Sequence, residues 1–218
     1  YGSDTIKTLT LQTGSGSHAE QADYGVVAAL RIRITPEDIA ITGEGFAREL
    51  NLDATLTAAP TKLAKALADP ALVKLEIGAT VGGLAAVDWE EIEINLGPRW
   101  APHIAGNATE ESFDEHKKIA SEPTIMVTLV AEDDQDDLLE AARLKEGRFV
   151  KVTLSSEQEY SEGNTYEATF LFYCTIDAPS RQDMDGVFDA QFTLHPEPHA
   201  DVGSGSWAEI VITNAAAE

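Results

Sequence analysis

The sequence predicts a mainly β fold with one flanking helix and long polar connections. About ten stretches alternate apolar and polar side chains with a period of two, the signature of strands buried on one face. Only two stretches keep helical spacing, which excludes an alternating α/β arrangement. The longest strand stretch, "TYEATFLFYCTIDAP", is apolar on both faces around Phe170 to Tyr173, as suits a strand covered on both sides.

In chain order, "TIKTLTLQT" opens the series. "ALRIRIT" (Ala29 to Thr35) follows, with Leu30, Ile32 and Ile34 on one face and Arg31 and Arg33 on the other. "ELNLDATLT" and "ALVKLEIG" come next, then "EEIEINL" with Ile92, Ile94 and Leu96 aligned. "PTIMVTLVA" alternates Ile125, Val127 and Leu129, and "RFVKVTLS" alternates Val150, Val152 and Leu154. After the long strand, "GVFDAQFTL" alternates Phe188, Ala190, Phe192 and Leu194, and "WAEIVIT" closes the set. Of the two helical stretches, "TKLAKALAD" is short and stops before Pro70. The other runs from about Asp134 to Glu146, with Leu138, Leu139 and Ala142 on a shared face and Gly147 as its C-terminal stop.

Two segments read as loops, residues 14–25 and the long residues 97–123. A connection as long as the second is uncommon in a compact domain and tends to be functional. Trp100, Ile104 and Phe113 along it need burial, either on a neighbouring subunit, which makes them inter-subunit arm candidates, or on their own domain. The chain reads as a single domain over 1–218, with residues 196–218 as a C-terminal extension.

Acidic residues outnumber basic ones by 38 to 15, for a net charge of −23, in a chain whose apolar fraction of 43% is ordinary for a folded protein. Such a field repels phosphates and argues against conventional nucleic-acid binding through Lys and Arg. Colloidal solubility and a high-salt habitat are the general explanations, set against a specific electrostatic role. The charge is concentrated at "EDDQDD", with five carboxylates between Glu132 and Asp137. The helix macrodipole accounts for about two of them, because its effect fades beyond the first turn. No apolar run approaches the ~20 residues needed to cross a bilayer, and the opening segment has neither the basic nor the apolar region of a secretory leader, so no membrane partner is expected.

The residues select no catalytic, cofactor-binding or metal-binding set, and the chain reads as a non-enzyme. The "GSGS" pieces lack the Lys-Ser/Thr ending of a phosphate loop. Aligning "SRQDMDGVFDAQF" with a calcium loop puts Arg181 and Phe192 at the two anchoring positions, so Asp183 and Asp185 belong to an acidic turn. His195 and His199 in "HPEPH" are kept off a helix by two prolines, leaving only an adventitious metal site in view. Cys174, the single cysteine, sits in an apolar run without an activating neighbour.

One ordered series remains: the helix "DDQDDLLEAARLKEG", the strand "RFVKVTLS", the turn "SEGNTY", the long strand "YEATFLFYCTIDAP", the acidic turn "SRQDMDG" and the strand "VFDAQFTLHPE". This series resembles the C-terminal half of the major tail (tail tube) proteins of long-tailed double-stranded DNA viruses. Upstream, "YGVVAALRIRITPEDIAITGEGFAREL" is similar to that family's N-terminal region. The resemblance covers residues 24–57 and 124–195; residues 97–123 and the tail after Pro196 have no counterpart in it.

The resemblance implies a β-sandwich or open barrel with a flanking helix, in subunits that form hexameric rings. The rings stack into a tube in the host cytoplasm and become part of the virion tail. The implied partners are other copies of the chain, a tape-measure protein with other tail proteins, and viral double-stranded DNA passing through the lumen without specific binding. A duplex carries one charge per ~1.7 Å of axis, so carboxylates on the bore would keep it sliding where cations would hold it. Glu132, Asp133, Asp134, Asp136, Asp137, Asp183 and Asp185 are the candidates for that lining. The competing readings are a tail terminator or capsid decoration protein, and an extracellular carbohydrate- or cell-surface-binding module, against which Trp89, Trp100 and Trp207 are scattered across strands and a loop and form no obvious platform.

Overall fold

Strands with one apolar and one charged face are stable when hydrogen-bonded side by side, so that one face is buried and the other wetted. The computed structural model describes residues 8–15, 18–52, 54–56, 68–103, 115–119, 122–129, 132–184 and 187–213. In chain order these form β1 (Leu9–Ser15), β2 (His18–Ile34), β3 (Ile39–Phe46), β4 (Glu49–Asn51), β5 (Lys74–Gly78) and β6 (Ala85–Ala86). They continue with β7 (Trp89–Asn95), β8 (Trp100–His103), β9 (Glu115–Lys118), β10 (Thr124–Leu129) and the helix α1 (Glu132–Leu144). The last elements are β11 (Arg148–Ser161), β12 (Asn164–Ile176), β13 (Ser180–Met184), β14 (Val187–Glu197) and β15 (Ala208–Thr213).

The main sheet is antiparallel, runs β3-β2-β7-β10-β14-β12-β11-β5-β6 and curls into a half-barrel, the open form of the expected mainly β fold. Its register follows the alternation read in the sequence. Ile32 lies opposite Ile94, Ile94 opposite Ile125, Ile125 opposite Leu194 and Leu194 opposite Ile176, an apolar row across five strands. Ile34, Ile92, Val127 and Phe192 form the next row, and all four are fully buried. A slip of one residue anywhere would turn a whole strand's apolar set to solvent, so this face locks the register. The opposite face carries charges largely in pairs: Arg31 with Glu93, Arg33 with Glu91, and Lys151 with Glu76 at 2.8 Å.

Helix α1 lays Leu138 and Ala141 on the core, with Leu139 and Ala142 packed beside them, and Gln135 donates from its amide to the Leu129 carbonyl at 2.8 Å. Its C-terminus corrects one expectation. The left-handed position is Lys145 (φ 56°), and the Glu146 N–H reaches the Ala141 carbonyl at 2.9 Å while the Lys145 N–H reaches Ala142. This is a Schellman closure with lysine where glycine is usual. Gly147 serves a different need: a Cβ there would run into the Tyr173 ring, which is hemmed in by Phe149 and His199. Gly147→Ala is therefore expected to cost about 1–3 kcal/mol, the range for overpacking, read as a lower midpoint in urea denaturation.

Four further segments bear on the expected pattern. Residues 14–25 are not a loop: those of them that are described are strand, in β1 and β2. Side-chain bonds from Thr10 to Asp23 and from Gln12 to Gln21 hold this hairpin, and Ala19 is the one buried apolar side chain described in β2 before Val26, so the start of β2 has little apolar alternation to read. Residues 97–123 hold the small β8-β9 sheet, anchored where the Arg99 N–H meets the Ala28 carbonyl at 2.9 Å. The tail after Pro196 folds back on the sheet. Its Val202 packs with Phe149 and Leu171 into a second small core on the other side of β11 and β12, and the chain then returns as β15 along β12. The expected helix "TKLAKALAD" falls mainly outside the described residues; its last residue, Asp69, caps a 3-10 turn at Pro70–Leu72.

Candidate functional site

The acid-rich start of α1 separates into two kinds of residue. Glu132, Asp133 and Asp134 occupy its first turn, with side chains outside the described set. Asp136 is exposed, whereas Asp137 has a structural task. Arg148, only 7% exposed, donates from Nη2 to Asp137 Oδ1 at 3.0 Å and from Nε to Oδ2 at 3.1 Å, a two-point fork. Its Nη1 reaches Glu146 Oε2 at 3.3 Å and the Gly147 carbonyl at 3.2 Å. Hydrogen bonding to Asp137 raises the guanidinium pKa above its already high ordinary value and outweighs desolvation. The pair ties the helix to the first residue of β11. Arg148→Ala is expected to cost about 1.5–3 kcal/mol, as for hydrogen bonds to charged groups. Asp136→Asn should stay within about 0.5 kcal/mol, and comparing the two denaturation midpoints separates anchor from surplus charge.

The second candidate cluster belongs to β13 and the turn after it, and only the approach to β13 is seen beside α1. Asp136, Leu139, Glu140 and Arg143 of α1 share a shallow cleft with Ala178 and Pro179, which lead directly into β13. Asp183 pairs with Phe188 through the backbone of the β13-β14 hairpin, its side chain being outside the described set, and Asp185 lies outside the described residues altogether. A third acidic group was not singled out from the sequence. Glu157, Glu159 and Glu162 are all exposed at the far end of the β11-β12 hairpin, where Tyr160 meets Tyr166 at 5.3 Å. Their alternation with polar residues was a legible sign that this end of β11 leaves the core.

Of the arm candidates, Trp100 is partly buried in β8, paired with Lys118 and lying under the Arg99 guanidinium at 5.8 Å. Ile104 and Phe113 lie outside the described residues. Trp207 stacks on Phe172 and Trp89 packs against the core, and both are partly buried. His195 Nε2 engages Asp177 Oδ2 at 2.8 Å, while the His199 ring lies against Phe149 and Tyr173, so the two histidines have separate partners. Among the described residues no group of three or more metal-ligating side chains comes together. Burial pushes the Cys174 thiol far above its ordinary range and keeps it in the unreactive protonated form.

The most exposed apolar groups sit at the sheet margins. β1, the first half of β2 and β4 form a three-stranded extension that bends away at Tyr24, whose φ is 55°. Leu11, Leu50 and Leu52 on it are each 61% exposed, and a groove at its root is lined by Leu9, Val27 and Phe46. A short sheet with solvent on both faces is marginal alone and gains most of its stability from packing against something. Ile41 on β3 and Val211 and Ile212 on β15 are likewise exposed. The molecule is thus a mainly β, half-closed antiparallel barrel whose margins, among the described residues, have no neighbouring strand. No protein-family model matches the chain, and no curated protein matches it in sequence.

Proposed function

We propose that the chain is a structural subunit that assembles with copies of itself into stacked rings, forming the tail tube of a double-stranded DNA virus. The observation that carries this is the half-barrel itself: a curled sheet that stops short of closure and leaves apolar strand margins, which neighbouring copies would complete. The three-stranded extension with its exposed leucines is the surface for ring-on-ring contact. The surplus carboxylates, among them the exposed Asp136 and Glu140 of α1 and Glu157, Glu159 and Glu162 at the β11-β12 tip, supply a surface that repels a passing duplex and does not hold it. The tape-measure protein and other tail proteins are the further partners of this reading.

Electron microscopy of the purified protein, with sedimentation at the same concentrations, tests it. Stacked rings with an axial hole of ~20 Å or wider, the scale set by a duplex and its grooves, are expected. A stable monomer at all concentrations, with no channel, overturns the proposal. Single rings that never stack point instead to a terminator-like role, and monomers that bind glycans to the cell-surface reading.

A further inference from the structure

We infer that the contact within a ring is a strand pair between β3 of one copy and β15 of the next, an inference that rests on the self-assembly reading above. A free strand edge presents unpaired N–H and C=O groups, and proteins that stay monomeric blunt such edges with shortness, bulges, proline or charge. Among the described residues most margins of this molecule are blunted in one of these ways. β4, β6, β8 and β9 have two to four residues each. β1 carries a register shift between Leu9 and Leu11. β13 carries Arg181 and Asp183.

Two edges are the least protected among the described residues: the register shift in the β2-β3 ladder falls at Glu44–Gly45 and leaves residues 39–43 regular, the β12-β15 ladder has none, and each strand carries a single acid. β3, "IAITGEGF", is eight residues long, pairs among the described residues only with β2, contains no Lys, Arg or Pro, and exposes Ile41 by 62%. β15, "AEIVIT", is six residues long, pairs among the described residues only with β12, likewise contains no Lys, Arg or Pro, and exposes Ile212 by 66%.

Charge narrows the choice further. Copies with a net charge of −23 repel each other, so contact is cheapest where acids are sparse. β3 has a single acid, Glu44, and β15 a single acid, Glu209. Joining two different edges gives a heterologous contact, which propagates from copy to copy until it closes into a ring. β3 pairing with itself would stop at a dimer and leave β15 uncovered. Six residues of β15, about 20 Å at ~3.3 Å per residue, fit within the length of β3.

The native thiol is buried, so introduced cysteines report alone. The double variant Thr42→Cys/Val211→Cys, treated with a short bismaleimide, is expected to give a ladder of covalent oligomers. An equal mixture of the two single variants should give one mixed dimer that neither gives separately. Ile41→Lys should abolish ring formation, while its urea midpoint stays that of the parent because the side chain is exposed. Rings seen by electron microscopy without a ladder or a mixed dimer overturn this edge assignment and leave self-assembly standing. An absence of both rings and covalent oligomers overturns the two together.

Discussion

Phe172→Ala is expected to lower the free energy of unfolding by about 3–5 kcal/mol, the range for removing a fully buried aromatic ring. Phe172 has no exposure and stands on β12 between Val150 of β11 and Ala208 of β15. Trp207 stacks over it with centroids 6.4 Å apart. The cavity cannot collapse readily, because both flanking strands are fixed by long antiparallel ladders whose register the rest of the core enforces. Against a total of about 5–15 kcal/mol for an ordinary domain the loss is large. Urea denaturation followed by tryptophan emission measures it. Because Trp207 immediately precedes β15, the same variant is also expected to loosen that strand, and with it the edge inferred to join neighbouring copies.

The main sheet was legible wherever burial is one-sided. Ile92 with Ile94 and Val150 with Val152 show the period of two because their intervening residues face water or ion partners. The apolar run at Phe170 to Tyr173 was also readable as a strand covered twice. Phe170 and Phe172 enter the main core, while Leu171 and Tyr173 lie under the loop that carries Val202. The beginning of β2 was not legible, since "HAEQAD" is polar on both faces and its partners in β1 and β4 are set by hydrogen bonds. Gly147 looked like a helix stop because glycine usually fills that position, but the clash that requires it comes from Tyr173, distant in sequence. The acidic clusters were visible as composition. What separates Asp137 from Asp136 is a buried arginine eleven positions further on, which no local pattern marks.

Assembly is expected to strengthen with salt, the reverse of what oppositely charged partners do. Each copy carries 38 acids against 15 bases, and ion pairs such as Arg31 with Glu93, Arg148 with Asp137 and Lys151 with Glu76 are internal and do not depend on a neighbour. What opposes association is therefore long-range repulsion between exposed carboxylates, and what favours it is apolar contact at residues such as Ile41 and Ile212. Screening acts on the first and not on the second: the Debye length falls from about 10 Å at 0.1 M salt to about 3 Å at 1 M. Over that range the concentration needed for assembly is expected to drop by at least about tenfold, equivalent to ~1.4 kcal/mol per association step. Light scattering and sedimentation across a sodium chloride series measure the change. A rise in the required concentration would mean that copies are held by ion pairs across the contact, which requires the few basic side chains to lie at the interface and the apolar edges of β3 and β15 to lie elsewhere.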